Sequence, residues 1–418
     1  MTNPSATPLP QALANIRVLD LSRVLAGPWC TQNLADLGAE VIKVERPGVG
    51  DDTRSWGPPW LKDGAGQDSR DAGYYLCANR GKKSIAVDIA RPEGQAVIRE
   101  LARQCDVLVE NFKVGDLKRY GLDYDSIAAL NPRIVYCSIT GYGQTGPEAH
   151  KPGYDFIFQG MGGLMSITGE RDDRPGGGPQ KVGIAVTDVL TGMYSTVAIL
   201  AALNHRHESG RGQYIDMALL DCIVAFGGNQ IGNHMVSGKV PGRMGNAHAS
   251  VAPYDVFATA DGHLIVAVGN DQQWQRCAMA LERPELAADA RFTTMAGRLS
   301  HRDALFAAVQ ESMRTRSSAA WLTRFEECGV PCGPINNYQQ VLEMPQVRHR
   351  GLRVDLQRSD GGPAPVIASP LRLSATPVRY DLAPPLLGEH TEAVLRQRLG
   401  LDDAALARLR EQGIVPAA

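Results

Sequence analysis

Five short apolar runs, separated by stretches of helical spacing, fill the first third of the chain and constrain its fold more than any other feature. Strands are expected at 17–21, 41–45, 83–89, 106–109 and 133–140, helices at 28–37 and 92–104, and short helical pieces within 117–130. Pro28 falls near the first turn of its helix, where a missing amide proton costs nothing. Strands alternating with helices in this rhythm form a parallel sheet covered on both faces, with ligands outside the carboxyl ends of the strands. The expected class is α/β with a Rossmann-like layout.

At 418 residues the chain exceeds one ordinary domain, so two are expected. A glycine-rich passage at 228–250 marks the boundary, an α+β pattern runs from 254 to about 330, and prolines and loops dominate afterwards. The divisions are 1–227, 228–335 and 336–418. Net charge is -2 with dispersed basic residues, which argues against nucleic acid or an anionic membrane as main partner. The start, MTNPSATPLPQALAN, has no positive charge and no apolar core, so a loose cytoplasmic terminus is expected. No apolar run approaches the roughly 20 residues of a membrane span. The eight cysteines lie mostly in apolar segments and are expected buried and reduced. Cys328 and Cys332 have no second Cys or His pair at ligand spacing, so no metal is expected.

Glu45 ends the second strand about where a ribose-binding acid would fall in a dinucleotide site. The fingerprint is missing, since SRVLAGPWC after the first strand carries the single Gly27 followed by Pro28. The strand ends supply cations instead: Arg23, Arg46, Lys82 and Lys83, and Lys113, with Arg119 shortly after. Beside helix N-termini, these suit a phosphate-rich ligand.

One carboxylate stands apart. In KVGIAVTDVLTGM, Asp188 opens a helix whose apolar positions run from Leu190 to Leu203 and whose polar tail ends at Gly210. Two employments are open: a cap on the amides of the first turn, or a nucleophile leaving a buried strand and facing a crevice.

The blocks SRVLAGPWCTQNLADLGAEVIKVERPGVGDDTRSWGPP, NRGKKSIAVDI, VENFKVGDLKRYGL, NPRIVYCSITGYGQTGP, KPGYDFIFQGMGGLMSITG and KVGIAVTDVLTGMYS resemble, in order, those of the family III (CaiB/BaiF) coenzyme A transferases. GNAHASVAPYDVFATADGHLIVAVGNDQQW, CGVPCGPINN and PLLGEHTEAVL agree, and the nearest likeness is to the succinyl-CoA:glutarate branch. The resemblance implies a large Rossmann-like domain built from both chain ends, a smaller inserted α+β domain and an interlocked homodimer. It also implies acyl-CoA and a carboxylic acid as substrates, with no tightly bound cofactor.

By the same resemblance, Asp188 is the nucleophile, passing through an aspartyl mixed anhydride and an aspartyl-CoA thioester, its ionised form favoured by the helix amides. CoA contacts fall on Leu25, Ala26, Arg46, Val87, Asp88, Ile89, Ala90, Asn111, Phe112, Lys113, Arg119 and Tyr154. Trp56 matches a pocket-shaping tryptophan. Leu25 replaces a glutamine of the formyl-CoA enzyme and Gly245-Asn246 replace its glycine run, which turns the reading away from one-carbon or oxalate substrates. Arg243 and His248 are the candidates for a dicarboxylate's distal end. A racemase-like enzyme would use Asp155 and a histidine near Asp125 and Ser126, where none stands. A non-catalytic CoA-binding protein is the other alternative.

Overall fold

A computed structural model describes residues 9–417; residues 1–8, most of the segment read as a loose terminus, lie outside the described residues. Six strands form one parallel sheet: β1 (Arg17–Asp20), β2 (Glu40–Glu45), β3 (Lys82–Ala86), β4 (Val107–Glu110), β5 (Val135–Thr140) and β6 (Gln213–Ala218). Their order is β3-β2-β1-β4-β5-β6. The direction of winding reverses between β1 and β4, and that switch point opens a crevice between the loops that follow them.

The strand expectations hold to within a few residues, and the deviations have local causes. β3 stops at Ala86 because, after the Val87 N–H donates to the Glu45 carbonyl at 3.0 Å, the chain leaves the sheet, with Asp88 N–H donating to the Ile414 carbonyl at 2.9 Å. β6 stood in no apolar run. It is an edge strand, QYIDMA, with Gln213 and Asp216 exposed, so its pattern is diluted by polar residues. β4 and β5 are buried at every position and read as continuous apolar runs.

The helices that position the site are α1 (Ala26–Asp36), α2 (Pro92–Arg103), α3 (Tyr124–Leu130), α4 (Asp155–Met161), α5 (Val186–Ser209) and α6 (Leu219–Phe226). Val97, Ile98 and Leu101 of α2 pack on Leu19, Ile42, Ile85 and Leu108 of the sheet. Val394, Leu395 and Ile414, from near the other end of the chain, complete the same core. α1 and α5 cross in close contact at Gly192, where a Cβ would stand 2.6 Å from the Ala26 carbonyl oxygen and 3.0 Å from Trp29 Cβ.

α5 corrects one expectation. Its 24 residues are long and apolar enough to span a membrane by length and composition. Such a run also arises when a helix is buried in a protein core, and Thr187, Thr191, Ser195 and Ile199 of α5 are buried along one side.

The chain divides into two compact units, Met1–Gly162 with Val182–Gly228 and Arg348–Ala418, and Gly163–Lys181 with Asn229–Val347. The second contains an antiparallel sheet of Cys332–Pro334, His263–Ala267 and Tyr254–Ala258, in that order. Its core gathers Trp274, Phe292, Trp321 and Phe325. It takes in more than 228–335, since Gly245 N–H donates to the Gly169 carbonyl at 3.1 Å and ties the 163–181 segment to it.

Candidate active site

At the switch point the β1–α1 loop turns through Val24, whose φ of 70° lies in the left-handed region that a β-branched residue resists. Four groups grip this loop. Lys43 Nζ donates to the Ser22 carbonyl at 2.9 Å, and both Asp51 carboxylate oxygens accept Val24 N–H at 3.3 Å. Asn111, in the loop after β4, accepts Arg23 N–H at 2.9 Å and donates to the Arg23 carbonyl at 2.7 Å. Arg23 pairs with Asp52 at 3.0 Å.

Behind the loop lies a buried ionic network. Lys43 pairs with Asp51 at 2.8 Å, both side chains fully buried. Burial opposes ionisation of Asp51, yet Lys43 and the Thr53 hydrogen bonds hold its carboxyl down at about 2. Arg54 grips Glu45 with two bonds, 2.8 and 2.7 Å, and reaches Asp71 at 2.8 Å. Ser84 donates to Glu45 at 2.6 Å. Glu45 is thus committed inside the fold, which adds to the case against a ribose-binding acid.

Asp188 is the third residue of α5, whose N-cap is Ala185, but it does not cap the helix. Asp155 does so from α4: its carboxylate accepts Thr187 N–H at 2.8 Å and Asp188 N–H at 3.4 Å. Burial, with the Asp155 charge adding to it, pushes the Asp188 carboxyl up to about 7. Two expectations are corrected here. The helix amides do not favour the ionised form of Asp188, because Asp155 occupies them. The run 181–187 is not a buried strand: 181–185 is irregular chain, its Val182 N–H donating to the Gln159 side chain at 2.8 Å, and Val186 and Thr187 already belong to α5.

Asp188 opens into a cavity of about 520 Å³ lined by Leu25, Ala26, Trp56, Asn111, Phe112, Lys113, Tyr154 and Asp155. A second cavity of about 330 Å³ takes in Arg46, Val87, Asp88, Ile89, Ala90, Phe112 and Arg119. Both are lined by Arg23, Asp52, Phe112 and Asp116, so they are two reaches of one groove along the strand ends. All twelve residues matched to CoA contacts therefore line the groove that also holds Asp188. Arg46 is exposed and has no ion pair among the described residues; Arg119 stands 3.7 Å from Asp116 with its side chain 63% exposed. Lys82 and Lys83 are not groove cations: Lys82 is fully buried against Asp20 at 3.1 Å, and Lys83 pairs with Glu40 at 2.8 Å. They stand at the amino end of β3, away from the carboxyl ends where ligands gather.

Arg243, Gly245, Asn246 and His248 belong to the second unit. Arg243 pairs with Asp172 and donates to the Glu170 carbonyl at 3.3 Å, so its guanidinium is already engaged. Gly245 and Asn246 line a cavity of about 400 Å³ with Glu170, Asp255 and Arg302. His248 leans on Tyr254, ring centroids 5.3 Å apart, and its Nδ1 accepts Ser250 N–H at 3.0 Å.

Two residues of the site escaped the sequence reading. Asp155 enters the sequence pattern only as a racemase acid, and a cap delivered from more than thirty positions away leaves no local pattern. Tyr74 meets Trp56 edge to face at 5.2 Å, and burial, then the Cys77, Asp188 and Asp155 charges, raises its phenol to about 12. Nothing in GYYL marks it.

A doubly wound α/β protein whose switch-point groove carries the exposed Arg46 and Arg119 in one reach and the half-buried Asp188 carboxyl in the other has the build of an enzyme that handles a phosphate-bearing acyl carrier. The family model of CoA-transferase family III matches residues 13–391. The chain is 50% identical over 385 residues to the succinate–glutarate CoA-transferase of Agrobacterium fabrum, covering 92% of this chain and 95% of that one. It is 43% identical to the human succinyl-CoA:glutarate CoA-transferase, covering 96% and 90%. A crystal structure of a CaiB/BaiF family protein from Brucella suis superposes with a TM-score of 0.83 at 45% identity, covering 93% of this chain and all of that one. The chain belongs to CoA-transferase family III and is a CoA-transferase.

Proposed function

We propose that this enzyme moves coenzyme A from succinyl-CoA to glutarate, with Asp188 as the covalent relay. The observation that carries the mechanism is the Asp188 carboxyl, pushed up to about 7 by burial and lining the cavity with Leu25 and Ala26. A carboxylate that water and cations do not solvate is a strong nucleophile. The substrate pair is supported by the 50% and 43% identical relatives that act on glutarate.

The Asp188 carboxylate attacks the thioester carbonyl and CoA thiolate leaves, giving an aspartyl–succinyl anhydride. The thiolate then attacks the Asp188 carbonyl, succinate departs and an aspartyl-CoA thioester remains. Glutarate attacks that carbonyl, releasing thiolate and forming an aspartyl–glutaryl anhydride. Thiolate attack on the glutaryl carbonyl yields glutaryl-CoA and restores the carboxylate. No step consumes a nucleotide, because the thioester's free energy is kept in covalent form. Arg46 and Arg119 would hold the phosphates of CoA, which is substrate rather than resident cofactor, and Arg243 would reach a distal carboxylate only by leaving Asp172.

We read the assembly as an interlocked homodimer, each chain contributing a large domain from Met1–Gly162, Val182–Gly228 and Arg348–Ala418 and a small one from Gly163–Lys181 and Asn229–Val347. Apolar side chains left uncovered on the single chain support a partner copy: Phe156 and Met161 on α4, and Tyr194 and Val197 on α5, the last 60% exposed. The racemase alternative is weakened because the Asp155 carboxylate is held by the α5 amides.

Purified enzyme given succinyl-CoA and a panel of mono- and dicarboxylic acids should form glutaryl-CoA fastest. Hydroxylamine added during turnover should modify Asp188, as read by mass spectrometry; modification elsewhere would refute the relay. Light scattering should give twice the 45.0 kDa chain mass.

A further inference from the structure

Residue 24 is a valine at φ 70°, and its neighbours Leu25 and Ala26 line the cavity that holds Asp188. A non-glycine residue in that region is strained and persists only where its surroundings over-determine it. Of the groups that grip the loop, Asp51 is the one that meets the residue 24 amide itself. Asp51 is 1% exposed; both its oxygens accept Val24 N–H at 3.3 Å, and one takes Lys43 at 2.8 Å while the other takes Thr53 N–H at 2.9 Å. Its own amide is anchored to Glu45 at 2.8 Å, and Glu45 is gripped by Arg54.

The turn has little room to relax. A Cβ on Gly27 would stand 2.3 Å from the Ser22 side chain, and one on Gly192 would stand 2.6 Å from the Ala26 carbonyl oxygen. Gly192 is one turn beyond Asp188 on the same helix. A shift of the β1–α1 turn is therefore a shift of the cavity wall against the helix that carries the nucleophile.

We propose that Asp51 is a positioning residue for acyl transfer. It holds residue 24 in the left-handed conformation that a valine resists, and so fixes Leu25 and Ala26 against α5 at the distance the reacting carbonyl requires. Asp51 lies buried in the floor of the groove's reach of about 330 Å³, its carboxylate bonded to Val24, Thr53 and Lys43 and its amide to Glu45; it acts through the Val24 backbone. The proposal rests on the reading of Asp188 as the reacting group.

The test is a cycle in which Asp51→Asn is made in the natural chain and again in the Val24→Gly chain, with kcat and KM measured for succinyl-CoA and glutarate. In the natural chain kcat should fall on the order of tenfold with KM nearly unchanged, since the strained turn relaxes. In the Val24→Gly chain the same exchange should cost less than about threefold, because glycine adopts positive φ without help. Val24→Ala keeps a Cβ, and in that background the large loss should remain. Equal losses in the glycine and natural backgrounds would overturn the proposal, and so would a lowered melting temperature with kcat intact. If Asp51→Asn leaves Lys43 unpaired and the chain unfolded, Lys43→Met with Asp51→Asn removes both charges and is read in the same backgrounds. Retained transfer in Asp188→Ala would reject the nucleophile reading separately, whatever the cycle gives.

Discussion

Asp155 accepts the amide proton of Thr187 at 2.8 Å, so the carboxylate that caps α5 belongs to another helix. Asp188, one residue on, is thereby released from the task its position would assign it. The arrangement works against its ionisation twice. The amides that could have stabilised its charge are taken, and the group that takes them is itself an acid. A helix N-terminus that would ordinarily lower a carboxyl group here hosts one raised to about 7.

The first consequence is thermodynamic. A carboxyl at about 7 in the folded chain against an ordinary 3.8 keeps its proton in the native state longer than in the unfolded one. Stability then falls as pH rises between those values, and the full penalty, at most about 4 kcal/mol, is present above the folded value. Asp188→Asn, which carries no charge, should unfold at higher denaturant concentration than the natural chain at pH about 8. The two should coincide at pH about 3, below the unfolded value. A gain independent of pH would mean that packing, not charge, separates them.

The second is kinetic. If ionised Asp188 attacks, kcat/KM for the acyl-CoA should rise with pH and level off above about 7. Asp155→Asn keeps an oxygen for the Thr187 and Asp188 amides and removes the neighbouring charge. Its profile should move to lower pH without reaching the ordinary carboxylate range, because burial, the larger cause, remains. An unmoved limb would assign it to another group.

How much of this was legible follows from the range of each interaction. The strands β4 and β5 announced themselves because parallel strands buried at every position are near-continuous apolar runs, whereas the edge strand β6 is diluted by Gln213 and Asp216. Most CoA-contact positions fell into one groove because they follow a strand's carboxyl end, a place fixed by topology; Arg119 and Tyr154 reach it from further along the connecting loops. What escaped is long-range pairing. Lys82 looked like a phosphate ligand until the fold set it against Asp20, and Arg243 looked free until Asp172 met it. The Asp155 cap joins residues more than thirty positions apart, and spacing carries no trace of it.

The α1–α5 crossing gives a packing prediction. Gly192→Ala would place a Cβ 2.6 Å from the Ala26 carbonyl oxygen, a backbone atom with little room to yield. Overpacking of this kind costs about 1–3 kcal/mol. Because Ala26 lines the cavity, activity should fall at temperatures where the variant is still folded by circular dichroism. Loss of stability with unchanged kcat would show that the crossing supports the fold alone.

Arg54 tests the network behind the groove. Its guanidinium satisfies Glu45 at 2.7 Å and Asp71 at 2.8 Å and lies over the Tyr75 ring at 3.8 Å. Arg54→Met keeps most of the apolar volume and strips the buried Glu45 of its two guanidinium bonds, while Asp71 keeps only Arg358. Removing one partner from a buried pair costs about 3–5 kcal/mol, and equilibrium denaturation should show a loss of that size. A loss under about 1 kcal/mol would mean that Arg358, which reaches Asp71 at 2.9 Å, takes over the charge.

The groove cations make the last prediction. Arg46 is exposed beside the end of β2 with no ion pair among the described residues, while Arg119 stands 3.7 Å from Asp116. An exposed guanidinium without a partner contributes little to folding, so Arg46→Ala should leave the melting temperature nearly unchanged. If Arg46 meets a phosphate of CoA, the variant should raise KM for succinyl-CoA several-fold and leave kcat and the KM for glutarate unaltered, the pattern of lost uniform binding. The effect should shrink in high salt, because an exposed contact between charges is screened. Arg119→Ala should show the same pattern more weakly, since Asp116 already offsets part of its charge. An equal rise in KM for glutarate would instead place Arg46 at the acceptor acid.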